Sequence, residues 1–215
     1  MNTEIIGVIT MFVITILLAI PLGKYIGKVY SGDKTWTDTI FNPLDNLFFK
    51  AGGIKPDKEM NWKQHLAALL TMNLIWFLLS MLILMTQGSL PLNPDGNPSM
   101  TADLAFNTSI SFISNTNLQH YSGESGLSYL GQLVLMLWQF ISAAAGMAAC
   151  AVVFIAMKEK ATDKLGNFYN LFIKSLTRVL LPISIVIAVI LLFNGTPMTI
   201  DIGNKTLVKD LMKRL

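Results

Sequence analysis

The sequence predicts an all-α integral membrane protein, and three observations carry that prediction. Only 13% of the 215 residues are charged, against roughly 25% in a soluble domain. Mean hydropathy is +0.54, with 53% hydrophobic residues. Four segments, at about 5–23, 66–86, 131–156 and 177–194, have a length compatible with spanning when weighed against the ~20 apolar residues a bilayer requires. The composition also sets aside one class of partner. The pI is near 8.9, but no basic patch is interleaved with aromatics, so no nucleic acid is expected.

Taken in order, the first segment should stay in the mature chain. Met1-Asn2-Thr3-Glu4 has no basic n-region, and no small-residue cleavage site follows the apolar run. It ends at Pro21-Leu22-Gly23-Lys24-Tyr25, where a polar loop, 24–65, begins. That loop carries Lys24, Lys28, Lys34, Lys50, Lys55, Lys58 and Lys63, whereas residues 64–157 contain no lysine or arginine. Positive charge returns at Lys158, Lys160, Lys164, Lys174 and Arg178. Under the positive-inside rule the loops 24–65 and 157–176 are cytoplasmic, and the N-terminus and the 87–130 region are external. The fourth segment, 177–194, has the shortest apolar run, with Pro182 near its start, where proline is tolerated. The tail, 195–215, would then be external, although Lys205, Lys209, Lys213 and Arg214 pull against that placement.

Polar residues inside the spans are few. Asn73, Gln132 and Gln139 need partners that lipid does not offer, and interhelical hydrogen bonds are the simplest supply. Ser142, Gly146 and Cys150 put small side chains four apart along one helix face, which suits close helix packing. Cys150 is the sole cysteine, so no intrachain disulfide forms, and a small packing role is expected of it. No charge falls mid-span, so neither a proton relay nor a voltage sensor is expected. His65 and His120 have no second ligand at metal spacing. Trp62 is placed as a membrane-interface anchor. A membrane-embedded enzyme is disfavoured: there is no nucleophile–base pair, and Gly52-Gly53 lacks the Lys-Ser/Thr of a phosphate loop.

Everything else is arranged around Ala102–Glu124. Residues 104–113 form about three helical turns, too short at ~1.5 Å per residue to cross ~30 Å of hydrocarbon. The stretch that follows, 114–123, is polar and free of carboxylate. Two readings stay open from spacing alone: a re-entrant pore segment, or a polar external loop bearing a surface helix. In the first, backbone carbonyls replace the water of a cation, as rings of them do in potassium channels. Ser114, Asn115, Thr116, Asn117 and Gln119 would line or hold such a filter. Asp103 or Thr101 would cap the short helix, whose C-terminal partial charge faces the ion, and Gly123 would turn the chain outward.

Several stretches together resemble one family, the potassium-binding A subunit of the Kdp potassium-importing ATPase. They are Pro21-Leu22-Gly23, Glu59-Met60-Asn61-Trp62-Lys63-Gln64, Leu90-Pro91-Leu92-Asn93-Pro94, Asn115-Thr116-Asn117, Tyr121-Ser122-Gly123-Glu124, Ser142-Ala143-Ala144 and Leu165-Gly166-Asn167, in family order over about 15–195. The resemblance implies a potassium-channel-like fold of helix, re-entrant pore loop and helix, repeated four times in one chain with an extra helix at each end. This sequence would hold the extra first helix (1–23), the first repeat (66–156) and the opening helix of the second. The resemblance makes Ser114–Asn117 the first filter segment and links Gln119 to potassium binding.

The resemblance further implies potassium as the transported ion, no organic cofactor, and no hydrolysis on this subunit. ATP chemistry would belong to a P-type ATPase subunit, with small C and F subunits alongside, in the lipid of a bacterial inner membrane. Two positions depart from the family pattern: Leu118 stands for an expected tryptophan, and His120 for serine or another small residue. The chain is also less than half the family's length, so it reads as a truncated N-terminal portion that alone cannot complete a four-segment ring. The competing expectation is a small structural or assembly membrane protein with no ion path.

Overall fold

The computed structural model describes residues 3–118, 120–159 and 164–196. Every regular element among them is helical. Four helices are long and apolar enough to cross a membrane: Glu4–Ser31, Trp62–Ser89, Tyr129–Lys158 and Phe168–Phe193. The chain is an all-α integral membrane protein. Of the tail expected outside, only residues 195 and 196 fall within the described residues.

Helix α1 (Thr3–Ser31) is apolar on all sides through Leu22, and its most apolar stretch has no buried residue. A helix hydrophobic all round belongs in lipid or in a protein core, and among the described residues nothing buries its apolar stretch. The first segment is thus longer than its apolar run suggests, because its lysine-bearing last turns remain helical.

The lysine-bearing loop also holds a second helix, α2 (Asp38–Ala51). Residues 55–61 then lead into α3 (Trp62–Thr86), which opens on a reciprocal cap. Asn61 N donates to Gln64 Oε1 and Gln64 N to Asn61 Oδ1, each at 3.0 Å. The short helix α4 (Ala102–Ile113) and a single turn, α5 (Gly123–Gly126), precede the long α6 (Tyr129–Lys158). Ser128 caps α6 by accepting from Gly131 N at 3.1 Å.

The last span is not uniform. Helix α7 (Phe168–Lys174) passes through a π-helical stretch, Ser175–Leu180, into α8 (Leu181–Phe193). It begins well before residue 177, so Arg178 lies inside the span instead of at its loop end. Pro182 has no N–H to give the carbonyl four residues back, that of Arg178. Tyr25 supplies the missing donor: its hydroxyl reaches Arg178 O at 2.8 Å.

The Arg178 guanidinium is buried and bonded through all three of its nitrogens. It pairs with Asp45 (2.6 Å) and with Asp38, and donates to Asn42 Oδ1 at 2.7 Å. Thr177 adds a 2.7 Å bond to Asp45. Burial alone would raise the pKa of Asp38, but bonds from the Thr35 backbone N–H and hydroxyl, with Arg178 alongside, hold it below the usual carboxylate value. One cation in the span therefore gathers three residues of α2.

Both lysine-bearing segments meet at one end of the molecule. Met60 N donates to Gly166 O (2.7 Å), Asn167 Nδ2 to Lys58 O (2.8 Å), and the Tyr30 hydroxyl lies 2.7 Å from Ser175 Oγ. A small core of Ala68, Ala148, Ala151, Phe168 and Leu171 sits there. A larger one, including Leu84, Phe112, Leu135 and Trp138, sits toward the lysine-free end, where α4 wedges between α3 and α6.

Close packing along α6 uses Ser142, Ala145, Ala148 and Ala151, all buried. Gly146 and Cys150 are exposed instead, and Cys150 borders an apolar groove of about 540 Å³ beside α1. Gln132 bonds back to its own entry loop (Leu127 O, 3.4 Å). The helix crossings are tied by Ser109 to Ser80 (2.9 Å) and by Trp138 Nε1 to Trp76 O (3.1 Å).

Breaking the ion pair from one side strands a buried charge. Asp45→Ala is expected to destabilise the protein by about 3–5 kcal/mol. Asp45→Leu combined with Arg178→Met should recover most of that loss, as read from thermal unfolding in detergent.

Candidate functional site

The depth of the polar turn after α4 follows from its partners. The segment leaves the lysine-free end at Met100, whose N–H donates to Leu84 O near the end of α3 (3.0 Å). One helix face then descends along α3, with Ser109 reaching Ser80. At the bottom, Asn115 Oδ1 lies 3.5 Å from Ser142 Oγ, near the middle of α6. The chain then climbs. Leu118 O accepts from Ser111 Oγ at 2.9 Å, and Gly126 O is back beside Gln87 at the lysine-free end (2.8 Å). The segment enters and leaves by the same end, reaching mid-span between.

The turn is wound tightly against the end of α4. Thr116 N and Asn117 N both donate to Ser111 O, at 2.9 and 3.1 Å. A planar trans peptide points its C=O opposite to its N–H, and no peptide bond here is cis. The carbonyls of Asn115 and Thr116, which share those two peptide planes, therefore both point away from α4. Asn115 and Asn117 take the left-handed conformation, with φ of 57° and 54° on either side of Thr116. Asparagine tolerates that region far better than other L-residues with a Cβ. The side chains pair locally: Ser114 Oγ lies 2.7 Å from Thr116 Oγ1, and Asn117 Nδ2 donates to Asn115 Oδ1 at 3.2 Å.

The electrostatics favour a cation. The negative end of the α4 dipole arrives at this turn, and residues 104–118 carry no charged side chain. Asp103 is exposed on the first turn of α4, at the other end. A bond from the Thr101 side chain, with the backbone N–H groups of residues 103 and 104, holds its pKa below the ordinary value. Thr101 is the N-cap residue but makes no capping bond of its own.

Of the residues singled out from the sequence, Ser114, Asn115, Thr116 and Asn117 are brought together in this turn, all exposed. Gln119 lies outside the described residues. Gly123 opens the single turn of α5 on the way back up. Leu118 is 58% exposed.

Sequence reasoning missed the residues that frame the segment. Gln87 is fully buried just beyond α3, and its amide makes three bonds: to Pro98 O and Gly126 O (both 2.8 Å) and from Ser128 N (3.1 Å). Asn97 Nδ2 reaches Leu127 O at 3.1 Å, and Asn93 holds Asn97 through both side-chain atoms. Gln87 thus ties both ends of the re-entrant segment to one helix. The signal was an amide directly after a long apolar run, followed by asparagines in a proline-rich turn.

Asn115→Val should destabilise the protein by about 1–2 kcal/mol, since a β-branched side chain is strained at its φ. Asn115→Gly should cost clearly less. Thermal unfolding of the two variants in the same detergent gives the comparison.

The sequence has named relatives. A family described as "KdpA: Potassium-transporting ATPase A subunit" matches residues 9–213. Over 201 residues, 94% of this chain, the sequence is 67% identical to a "Potassium-transporting ATPase potassium-binding subunit" of Flavobacterium johnsoniae, covering 35% of that protein. A protein of the same description from Phocaeicola vulgatus is 58% identical over 202 residues, again 94% of this chain and 35% of the relative. One from Caldanaerobacter subterraneus is 41% identical over 191 residues, 88% of this chain and 34% of the relative. The chain thus spans about a third of the length of these relatives (35% for the first). With the match running through both spans and the turn between them, the chain belongs to the family of potassium-transporting ATPase A subunits.

Proposed function

We infer that residues 114–119 form one segment of a potassium-selectivity filter, in a subunit that selects K⁺ for an ATP-driven importer. The observation that carries this reading is the common direction of the Asn115 and Thr116 carbonyls at mid-span depth, fixed by two N–H groups bonded to Ser111 O. Oxygen dipoles so aimed replace part of the hydration shell of a cation, and no carboxylate is there to hold the ion too tightly. Two carbonyls are only part of a shell. The ring is completed by equivalent segments from further repeats, which the greater length of the relatives has room to encode.

The chain itself supplies no hydrolytic chemistry in this reading. A P-type ATPase subunit hydrolyses ATP, and small C and F subunits complete the complex in the bacterial inner membrane. The lysine-bearing end faces the cytoplasm by the positive-inside rule, so the filter opens to the outside and the N-terminus is external. Gln119 belongs with the potassium-binding residues on the family resemblance, and Gly123 and Asp103 support the filter: Gly123 on the return path, Asp103 at the outer end of the pore helix.

The test uses the full-length subunit within its complex, with Cys150→Ala as background. Cysteines introduced by Thr116→Cys and Asn117→Cys should react with an external, membrane-impermeant thiol reagent. K⁺ should slow that reaction several-fold relative to Na⁺. Equal rates in the two ions would remove the filter assignment and favour a structural or assembly role.

A further inference from the structure

Helix α2 has three distinct faces. Asp38, Asn42 and Asp45 point to Arg178. Thr39, Asn46 and Lys50 form a polar strip. Between them runs an apolar stripe at helical spacing, Ile40, Leu44, Leu47 and Phe48, of which Ile40 and Leu47 are 62% and 61% exposed. A helix of this pattern, polar on one side and bare aliphatic on another, suits a membrane surface.

Its depth is set independently. The Tyr25 hydroxyl touches both Thr37 Oγ1 (2.9 Å) and Arg178 O (2.8 Å), so α2 starts level with Tyr25. On α1 that level is a boundary: Leu17, Leu18, Ile20 and Leu22 are bare toward lipid before it, and Lys24 and Lys28 begin around it. The apolar stripe of α2 continues the lipid-facing surface of α1 at the point where hydrocarbon gives way to headgroups.

At the same level lies a cavity of about 340 Å³ whose lining includes Lys24, Lys28, Lys34, Tyr25 and Trp36. Trp36 is 75% exposed, with its ring 6.4 Å from that of Tyr25. Among the described residues no acid lines this cavity, and Asp38, close by in sequence, is engaged by Thr35 and Arg178. Tryptophan favours the headgroup layer, and lysines beside a span attract anionic lipid.

We propose that this cavity binds the headgroup of an anionic phospholipid while the Ile40–Leu47 stripe of α2 lies in the same leaflet. The lysines take the phosphate, Trp36 sits at the glycerol level, and the Arg178 cluster holds α2 down. The site is separate from the re-entrant turn and does not depend on it.

The full-length subunit in its complex is reconstituted in nanodiscs of phosphatidylcholine with a minority of phosphatidylglycerol, either lipid being brominated in its acyl chains. The Trp36 signal is the fluorescence difference between the parent and Trp36→Phe. Brominated phosphatidylglycerol should quench it well beyond its share of the lipid. Lys24→Gln/Lys28→Gln/Lys34→Gln should abolish that preference, at roughly five-fold per lysine. The corresponding triple arginine variant should keep it, and millimolar inorganic phosphate should leave it unchanged. Equal quenching by both lipids would overturn the proposal. So would displacement by free phosphate, or an absence of quenching with either lipid, the sign of a protein partner covering this face.

Discussion

Backbone N–H and C=O groups taken into a low-dielectric layer must find partners there, and the segment between α3 and α6 is shaped by that requirement. Residues 98–128 leave helical geometry several times inside a membrane protein, where each unpaired group costs several kcal/mol. Gln87 answers it at the top, with one side chain serving two carbonyls and one N–H. Ser111 answers it at the bottom, its carbonyl taking two N–H groups and its hydroxyl reaching Leu118 O. What is left over is informative. Once the N–H groups of Thr116 and Asn117 are bound behind the turn, the carbonyls of Asn115 and Thr116 must face forward. Satisfying one half of each peptide thereby aims the other half at whatever occupies the space in front.

The opposite end of the molecule meets the same requirement with charge. Arg178 stands in a spanning helix, and a lone guanidinium there would be costly. Asp45, Asp38 and Asn42 surround it, and the price of gathering them is a helix drawn out of the lysine-bearing loop and held at the membrane boundary. The π-helical stretch and Pro182 belong to the same device. Pro182 has no N–H to offer the Arg178 carbonyl, and Tyr25 of α1 donates to it. A helix whose apolar length touches little of the protein is thereby fastened near its last turns, where Tyr30 also meets Ser175.

Much of this was readable in the chain. The low charge, the four long apolar runs and the lysine-free interval from 64 to 157 lead directly to four spans with both lysine-bearing loops at one end. That a half-length helix is followed by a polar turn at Ser114–Asn117 was also legible, because apolar length and polarity are properties of the sequence itself. Other features were hidden for a physical reason. The buried face of α6 was misread as Ser142, Gly146 and Cys150, since small residues recur on more than one face of that helix. Only contact with α3, α4 and α7 selects Ser142, Ala145, Ala148 and Ala151. Helix α2 was read as loop because it lies in a polar, lysine-bearing stretch, and the partner of its Asp38, Asn42 and Asp45 lies more than a hundred residues away.

Hydropathy and charge, which act along the chain, determined the membrane, the number of crossings and the place of the polar turn. How deep the turn sits, and which way its carbonyls face, were decided by the tertiary structure. Both depend on hydrogen bonds to Ser111, Ser142 and Gln87, and no residue's own preference fixes the direction of a peptide plane until its N–H has found an acceptor.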